Sequence, residues 1–147
     1  MIIGYTTGVY DLFHIGHLNL LRNAKSMCDK LIVGLTTDEI MMEYKNKNTV
    51  IPYQERYEIL RSVRYVDAVV PQNHMNKFDA WERLKFDVMF VGDDWFQSEK
   101  WKTLDQQFKE VDVKIVYFPY TQGTSSTLVN EILLERRKEI QQDTTPK

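Results

Sequence analysis

Five short runs of β-branched and apolar residues, each parted from the next by a stretch of helical periodicity, constrain this chain more than any other feature. The runs cover residues 2–6, 31–36, 68–70, 88–91 and 113–118. Each is too short for a helix and has the composition of a buried parallel strand. Between residues 16 and 28, Leu18, Leu20, Leu21, Ala24 and Met27 fall on one broad helical face. Thr36-Thr37 ahead of Asp38-Glu39 marks the start of a second helix. Pro52 opens a third, where a missing N–H is harmless, with Tyr57, Leu60 and Val63 on one side. Residues 78–84 and 98–108 read as two more. Ser125 or Ser126 caps a last one that runs to about residue 138. Strands and helices alternating at this spacing form βαβ units, hence a parallel sheet covered on both faces with right-handed crossovers. The expectation is one α/β domain over residues 1–140, Rossmann-like and doubly wound around a five-stranded parallel sheet. Residues 141–147 have no apolar anchor and are expected to form a disordered tail.

A chain of 147 residues is one domain in size and buries roughly 70% of its unfolded surface. Its formal net charge of −2 lacks the basic bias of a nucleic-acid binder. A few placed cations and backbone amides still suffice to hold a phosphate. The start, Met1-Ile2-Ile3-Gly4-Tyr5-Thr6, has no signal-peptide character, and no run approaches the ~20 apolar residues of a membrane span. The single cysteine, Cys28, can make no internal disulfide. Cytoplasm is the expected location, and Cys28 is expected to be a small buried hydrophobe.

In a sheet of this kind, ligands lie beyond the carboxyl ends of the strands, where the strand order switches. The loop after the first strand reads Gly8-Val9-Tyr10-Asp11-Leu12-Phe13-His14-Ile15-Gly16-His17. Gly8 permits a close approach that a side chain would block, and Gly16 does the same at the helix start. Free N–H groups and the helix dipole favour an anion there. His14 and His17, three residues apart, face the same side of one helical turn and can donate to phosphate oxygens. A structural pair or a metal pair is the alternative, and zinc would need further ligands, with Asp11 the near candidate.

These residues resemble the HxGH signature of the nucleotidyltransferases related to class I aminoacyl-tRNA synthetases. More closely, the loop is similar to that of the cytidylyltransferases that activate glycerol 3-phosphate, phosphocholine and phosphoethanolamine. Further stretches carry the resemblance to about residue 135. Arg64-Tyr65-Val66-Asp67-Ala68-Val69 is similar to the family's RYVDEV segment, which implies an arginine near the nucleotide and an aspartate at a dimer contact. Gly92-Asp93-Asp94-Trp95 is similar to GDDW, which surrounds the nucleoside. Tyr120-Thr121-Gln122-Gly123-Thr124-Ser125-Ser126-Thr127 is similar to RTEGISTT, which holds the β- and γ-phosphates. Read alone, that last stretch is a hydroxyl-rich helix start suited to an anion. Lys45 and Lys47 match lysines that reach over the phosphates as mobile point charges. Three departures stand out: Val9 replaces a usual threonine, Tyr120 replaces the arginine, and Pro71-Gln72-Asn73-His74-Met75 lacks an aromatic residue expected to help the base.

The resemblance implies transfer of a nucleotidyl group, CMP from CTP, to a small phosphate monoester such as glycerol 3-phosphate. Such chemistry needs positioning and charge stabilisation more than an acid or a base. It implies His14, His17, Lys45 and Lys47 as catalytic groups. Nucleotide binding falls to Gly8, Val9, Tyr10, Asp11, Gly16, Arg64, Gly92, Asp94, Tyr120, Thr121, Gly123, Thr124, Ser125 and Ser126. Mg²⁺ is expected to ride on the substrate phosphates, with Asp11 as the candidate protein contact. A homodimer is implied as well. An adenylyltransferase and a nucleotide-binding module without turnover are the competing expectations.

Overall fold

The computed structural model describes residues 1–73, 76–92, 99–119 and 132–136, with backbone only at positions 45, 99 and 100. The elements run β1 (Ile3–Gly8), α1 (Ile15–Lys25), β2 (Lys30–Thr36), α2 (Asp38–Lys45), α3 (Tyr53–Arg61), β3 (Ala68–Gln72), α4 (Lys77–Leu84), β4 (Val88–Gly92), α5 (Glu99–Glu110) and β5 (Lys114–Phe118). The five strands form one parallel sheet in the order β3-β2-β1-β4-β5. Residues 132–136 are helical, inside the last expected helix. The start of that helix and the expected tail lie outside the described residues.

Alternation along the strands sends side chains to two separate cores, as a pleated ribbon must. On one face Tyr5, Ile32, Met89 and Val91 pack with Phe86, Ala80 of α4, and Trp101 and Phe108 of α5. On the other, Leu31, Val33, Leu35, Val88 and Phe90 pack with Leu21 and Ala24 of α1 and Leu60 of α3. Each side chain fully buried in this way contributes roughly 1.5–3 kcal/mol. The two layers make the sheet doubly wound.

Local chemistry sets the ends. Thr37 caps α2 by accepting from the Ile40 N–H, and Asn76 caps α4 by accepting from Phe78 and Asp79. Asn46 and Lys85 end these helices in the left-handed conformation. Pro52 stands just outside α3, in extended backbone, rather than within its first turn. Cys28 is half-buried rather than buried, and its thiol donates to the Ala24 carbonyl at 3.3 Å. Burial pushes its pKa up, against Lys25 nearby.

Candidate active site

The chain leaves β1 in the middle of the sheet, passes to β2 and β3 on one side, then returns to β4 and β5 on the other. The end of β1 is therefore the switch point, and the loop from Gly8 to His14 sits on it. Tyr10 and Leu12 both have positive φ, 52° and 51°. Residues with a Cβ rarely adopt this region, at a cost of order 1 kcal/mol each. The loop is held there from several directions. The Tyr10 ring is buried, 5.2 Å from the His17 ring centroid. A Cβ on Gly8 would stand 3.0 Å from that tyrosine ring, so the loop folds back over a glycine. The Asp11 carboxylate accepts from the backbone N–H groups of Val50 (2.8 Å) and Ile51 (2.9 Å).

His14 is the N-cap of α1, in extended backbone, and not a member of its first turn. Its Nδ1 accepts from the Gly16 N–H at 3.0 Å, while His17 Nδ1 accepts from the His14 N–H at 3.2 Å. The two rings stack, with centroids 3.9 Å apart and planes 27° from parallel. An imidazole nitrogen that accepts a hydrogen bond carries no proton, so each neutral ring has its proton on Nε2. The backbone thus selects the tautomer of both side chains. Burial lowers the pKa of His14. Burial, helped by His14 and opposed by Asp11, pushes His17 down to about 4. Near neutrality both rings are uncharged donors.

The shift in His17 has a consequence for stability. An unfolded imidazole takes up a proton below its usual value near 6.5, while the folded one resists until about 4. Its contribution is complete above pH 6.5 and is lost as the pH falls towards 4. Between pH 6.5 and 4.5 the wild type should lose up to roughly 2 kcal/mol more than His17→Gln, allowing for partial exposure. Chemical denaturation at several pH values reads this difference. Parallel curves for the two proteins would contradict it.

One buried cation ties the loop to its surroundings. Arg56 of α3 is 1% exposed. Its Nη1 donates to the carbonyls of Val9 and Thr36, both at 2.8 Å, and its Nε to Ile51 at 2.9 Å. Nη2 donates to Asp38 at 2.6 Å. Asp38 also accepts from the Thr49 hydroxyl and the Tyr53 N–H. Burial alone would raise the Asp38 pKa, but these hydrogen bonds prevail and hold it below the usual range. Arg56 and Asp38 were not expected from the sequence. Their signal was spacing, since Arg56 lies four residues before Leu60 on the buried stripe of α3.

The sequence and the fold are similar to those of known proteins. Residues 5–141 fit the model of the cytidylyltransferase-like family. The chain belongs to that family. A glycerol-3-phosphate cytidylyltransferase from Staphylococcus aureus is 38% identical over 129 residues, covering 87% of this chain and 92% of its own. An FAD synthase from Pyrococcus abyssi is 33% identical, covering 77% of each chain. A lipopolysaccharide core biosynthesis protein from Thermoplasma volcanium shares the fold, with a TM-score of 0.68 at 19% identity over 84% of this chain and 99% of its own. Nucleotidyl transfer is the activity of the cytidylyltransferase-like family, and the chain is a nucleotidyltransferase.

Within this cytidylyltransferase-like chain, the structure gathers Gly8, Val9, Tyr10, Asp11, His14, Gly16 and His17 at one point, and Gly92 ends β4 beside β1. Lys45 ends α2, and Lys47 follows it on the surface. Arg64 does not join them. It precedes β3, whose first residue pairs with Ile32 near the start of β2, so it stands at the opposite end of the sheet. There its exposed guanidinium lies 5.5 Å from the Tyr65 ring centroid. Asp67 is engaged within the chain, accepting from Lys25 and from the Leu31 N–H. Asp94, Tyr120, Thr121, Gly123, Thr124, Ser125 and Ser126 lie outside the described residues. Among the described residues no three His, Cys, Asp or Glu side chains converge as a metal site, and no helix is long and apolar enough to cross a membrane.

Proposed function

We propose that the chain transfers CMP from CTP to a small phosphorylated alcohol, releasing pyrophosphate and a CDP-alcohol. The observation that carries this reading is the pair of stacked histidines whose Nδ1 atoms are both occupied by backbone N–H groups. Each ring keeps one Nε2–H to offer. Two neutral donors, fixed before substrate arrives, suit an α-phosphate that gains charge as an acceptor phosphate oxygen attacks it. The N-terminus of α1 adds its dipole. Val50 and Ile51, held by Asp11, anchor the far end of the segment that bears Lys47, so in this reading Lys47 reaches over the phosphates from a tethered loop. Both Asp11 oxygens already accept N–H groups, which suits Mg²⁺ riding on the triphosphate rather than on this carboxylate. A homodimer in the cytoplasm completes the reading.

Cytidine and a glycerol-like acceptor are supported by the Staphylococcus aureus relative, a glycerol-3-phosphate cytidylyltransferase. The FAD synthase relative puts ATP among the nucleotides to be tried. The test is pyrophosphate release with Mg²⁺, across the four ribonucleoside triphosphates, against phosphate monoesters that include glycerol 3-phosphate. Release with CTP is expected. Release with ATP alone would overturn the cytidine assignment and keep the chemistry. Binding of CTP without release for any acceptor would favour a nucleotide-binding module.

A further inference from the structure

Three strands meet in one buried polar contact. Tyr5 of β1 is completely buried, with its ring stacked on Phe86 at 4.7 Å. Its hydroxyl donates to Oε1 of Gln72, the last residue of β3, at 2.6 Å. β2 lies between these strands, and the contact crosses it at Gly34. A Cβ on Gly34 would meet the Tyr5 hydroxyl and, at 3.1 Å, Gln72 Oε1. The Gln72 backbone is fixed as well. It pairs with Thr36 of β2, and its carbonyl accepts from the Thr37 N–H at 3.2 Å. Burial pushes the Tyr5 pKa up to about 12, so the hydroxyl keeps its proton and stays a donor. Stability does not require this arrangement, because two apolar side chains of the same shape in place of both partners would be nearly neutral.

Gln72 is also part of the lining of a cleft over the carboxyl ends of four strands, which reaches from Gly8 and Val9 past Thr36 to Val91 and Gly92. With Oε1 committed to Tyr5, the amide meets a ligand through its nitrogen. That nitrogen carries two hydrogens, enough for a protein oxygen and a ligand oxygen together. We infer that Gln72 is a specificity-determining residue that donates to a hydroxyl oxygen of a bound vicinal diol, and that Tyr5 and Gly34 position it. The inference rests on the nucleotidyl-transfer reading for the ligands that carry the diol. That reaction brings two, the glycerol unit of the acceptor and the ribose of CTP, and both offer the same chemistry. A side chain 3% exposed and already oriented loses little freedom when a ligand arrives. An analogue without the hydroxyl leaves a buried N–H short of its oxygen, which weakens its binding.

Calorimetric titration of the full chain tests this without turnover. Glycerol 3-phosphate is compared with propyl phosphate, and CTP with its dideoxyribose analogue, so that each pair differs only in hydroxyls. In one pair the wild type is expected to favour the hydroxylated ligand about tenfold, the effect of one buried hydrogen bond. Gln72→Met should bring that preference to within about twofold by weakening the hydroxylated ligand alone. Tyr5→Phe, which leaves Gln72 in place without its anchor, should lose about half of it on a logarithmic scale. The double variant Tyr5→Phe with Gln72→Met leaves neither partner of the buried bond unpaired. It should keep the wild-type urea midpoint and still lack the preference, which separates recognition from stability. Loss in the glycerol pair assigns the hydroxyl to the acceptor, and loss in the CTP pair assigns it to the ribose. Wild-type preferences near one, or preferences unchanged by Gln72→Met in both pairs, would overturn the inference. Pyrophosphate release is read on the same samples. Release with unchanged preferences sinks the Gln72 assignment alone. A preference that depends on Gln72, without release for any acceptor, sinks the nucleotidyl-transfer reading and leaves the assignment standing.

Discussion

Replacement of His17 by alanine is expected to lower the rate of pyrophosphate release about a hundredfold to a thousandfold, the usual result of removing one fixed donor from a developing oxyanion. The loss should exceed that of His14→Asn. His17 Nδ1 accepts the His14 N–H, so its removal also frees the neighbour that it holds. His14→Asn is the informative partner variant. Asparagine is a good N-cap and can still accept the Gly16 N–H that His14 takes at 3.0 Å, but it presents a different donor from an imidazole Nε2. A folded His14→Asn protein with strongly reduced turnover would locate the effect in chemistry rather than in the helix start. Single-turnover rates and circular dichroism on both variants make the comparison. Wild-type rates in both would remove the histidines from the mechanism.

Arg56→Ala is expected to destabilise the fold by about 3 kcal/mol, the range found when one partner of a buried charge network is removed. The side chain is completely buried, and three backbone carbonyls besides Asp38 depend on it. An unpaired carbonyl left in the interior carries its own desolvation penalty. Arg56→Lys should recover less than half of the loss, because an ammonium cannot reach four acceptors in a planar fork. Midpoints of urea denaturation give the values. A loss below about 1 kcal/mol for Arg56→Ala would mean that water replaces the guanidinium, and that the loop does not depend on it.

The fold was largely legible because strand and helix periods differ so clearly along this chain, and the errors lie where neighbours override local pattern. The first strand read as residues 2–6, but β1 reaches Gly8 because Thr7 and Gly8 pair with Gly34 and Leu35 of β2. The third strand read as residues 68–70, but β3 continues through Pro71 to Gln72. Proline has no N–H to give a ladder. It is tolerated inside β3 because that strand lies at the edge of the sheet and pairs with β2 alone. Gly34 carried no local signal at all. It is required because a Cβ there would run into the Tyr5 hydroxyl, which bonds to Gln72 across the strands.

The candidate site divides in the same way. His14, Gly16 and His17 were readable from spacing, since a loop and a helix start are local structures. The hydrogen bonds that choose their tautomers depend on His14 standing outside the helix, which spacing does not reveal. Arg64 was placed near the nucleotide by family resemblance, and only the sheet register puts it at the other end. Arg56 sits in Tyr53-Gln54-Glu55-Arg56-Tyr57-Glu58, a segment with the composition of a solvated helix. Its burial comes from Val9, Thr36 and Asp38, distant in the chain.

The sheet's strand order also bears on synthesis. β1 is the first strand to be made and also the central one, and its second neighbour, β4, lies 84 residues further along, the separation of Thr6 from Phe90. At translation rates of about 5–20 residues per second, that edge of β1 waits roughly 4–17 s for its partner after it emerges. During that interval an unpaired strand bearing the future phosphate loop is open to other nascent chains. Slow translation upstream of β4 therefore taxes the yield of this protein more than the same delay placed after it.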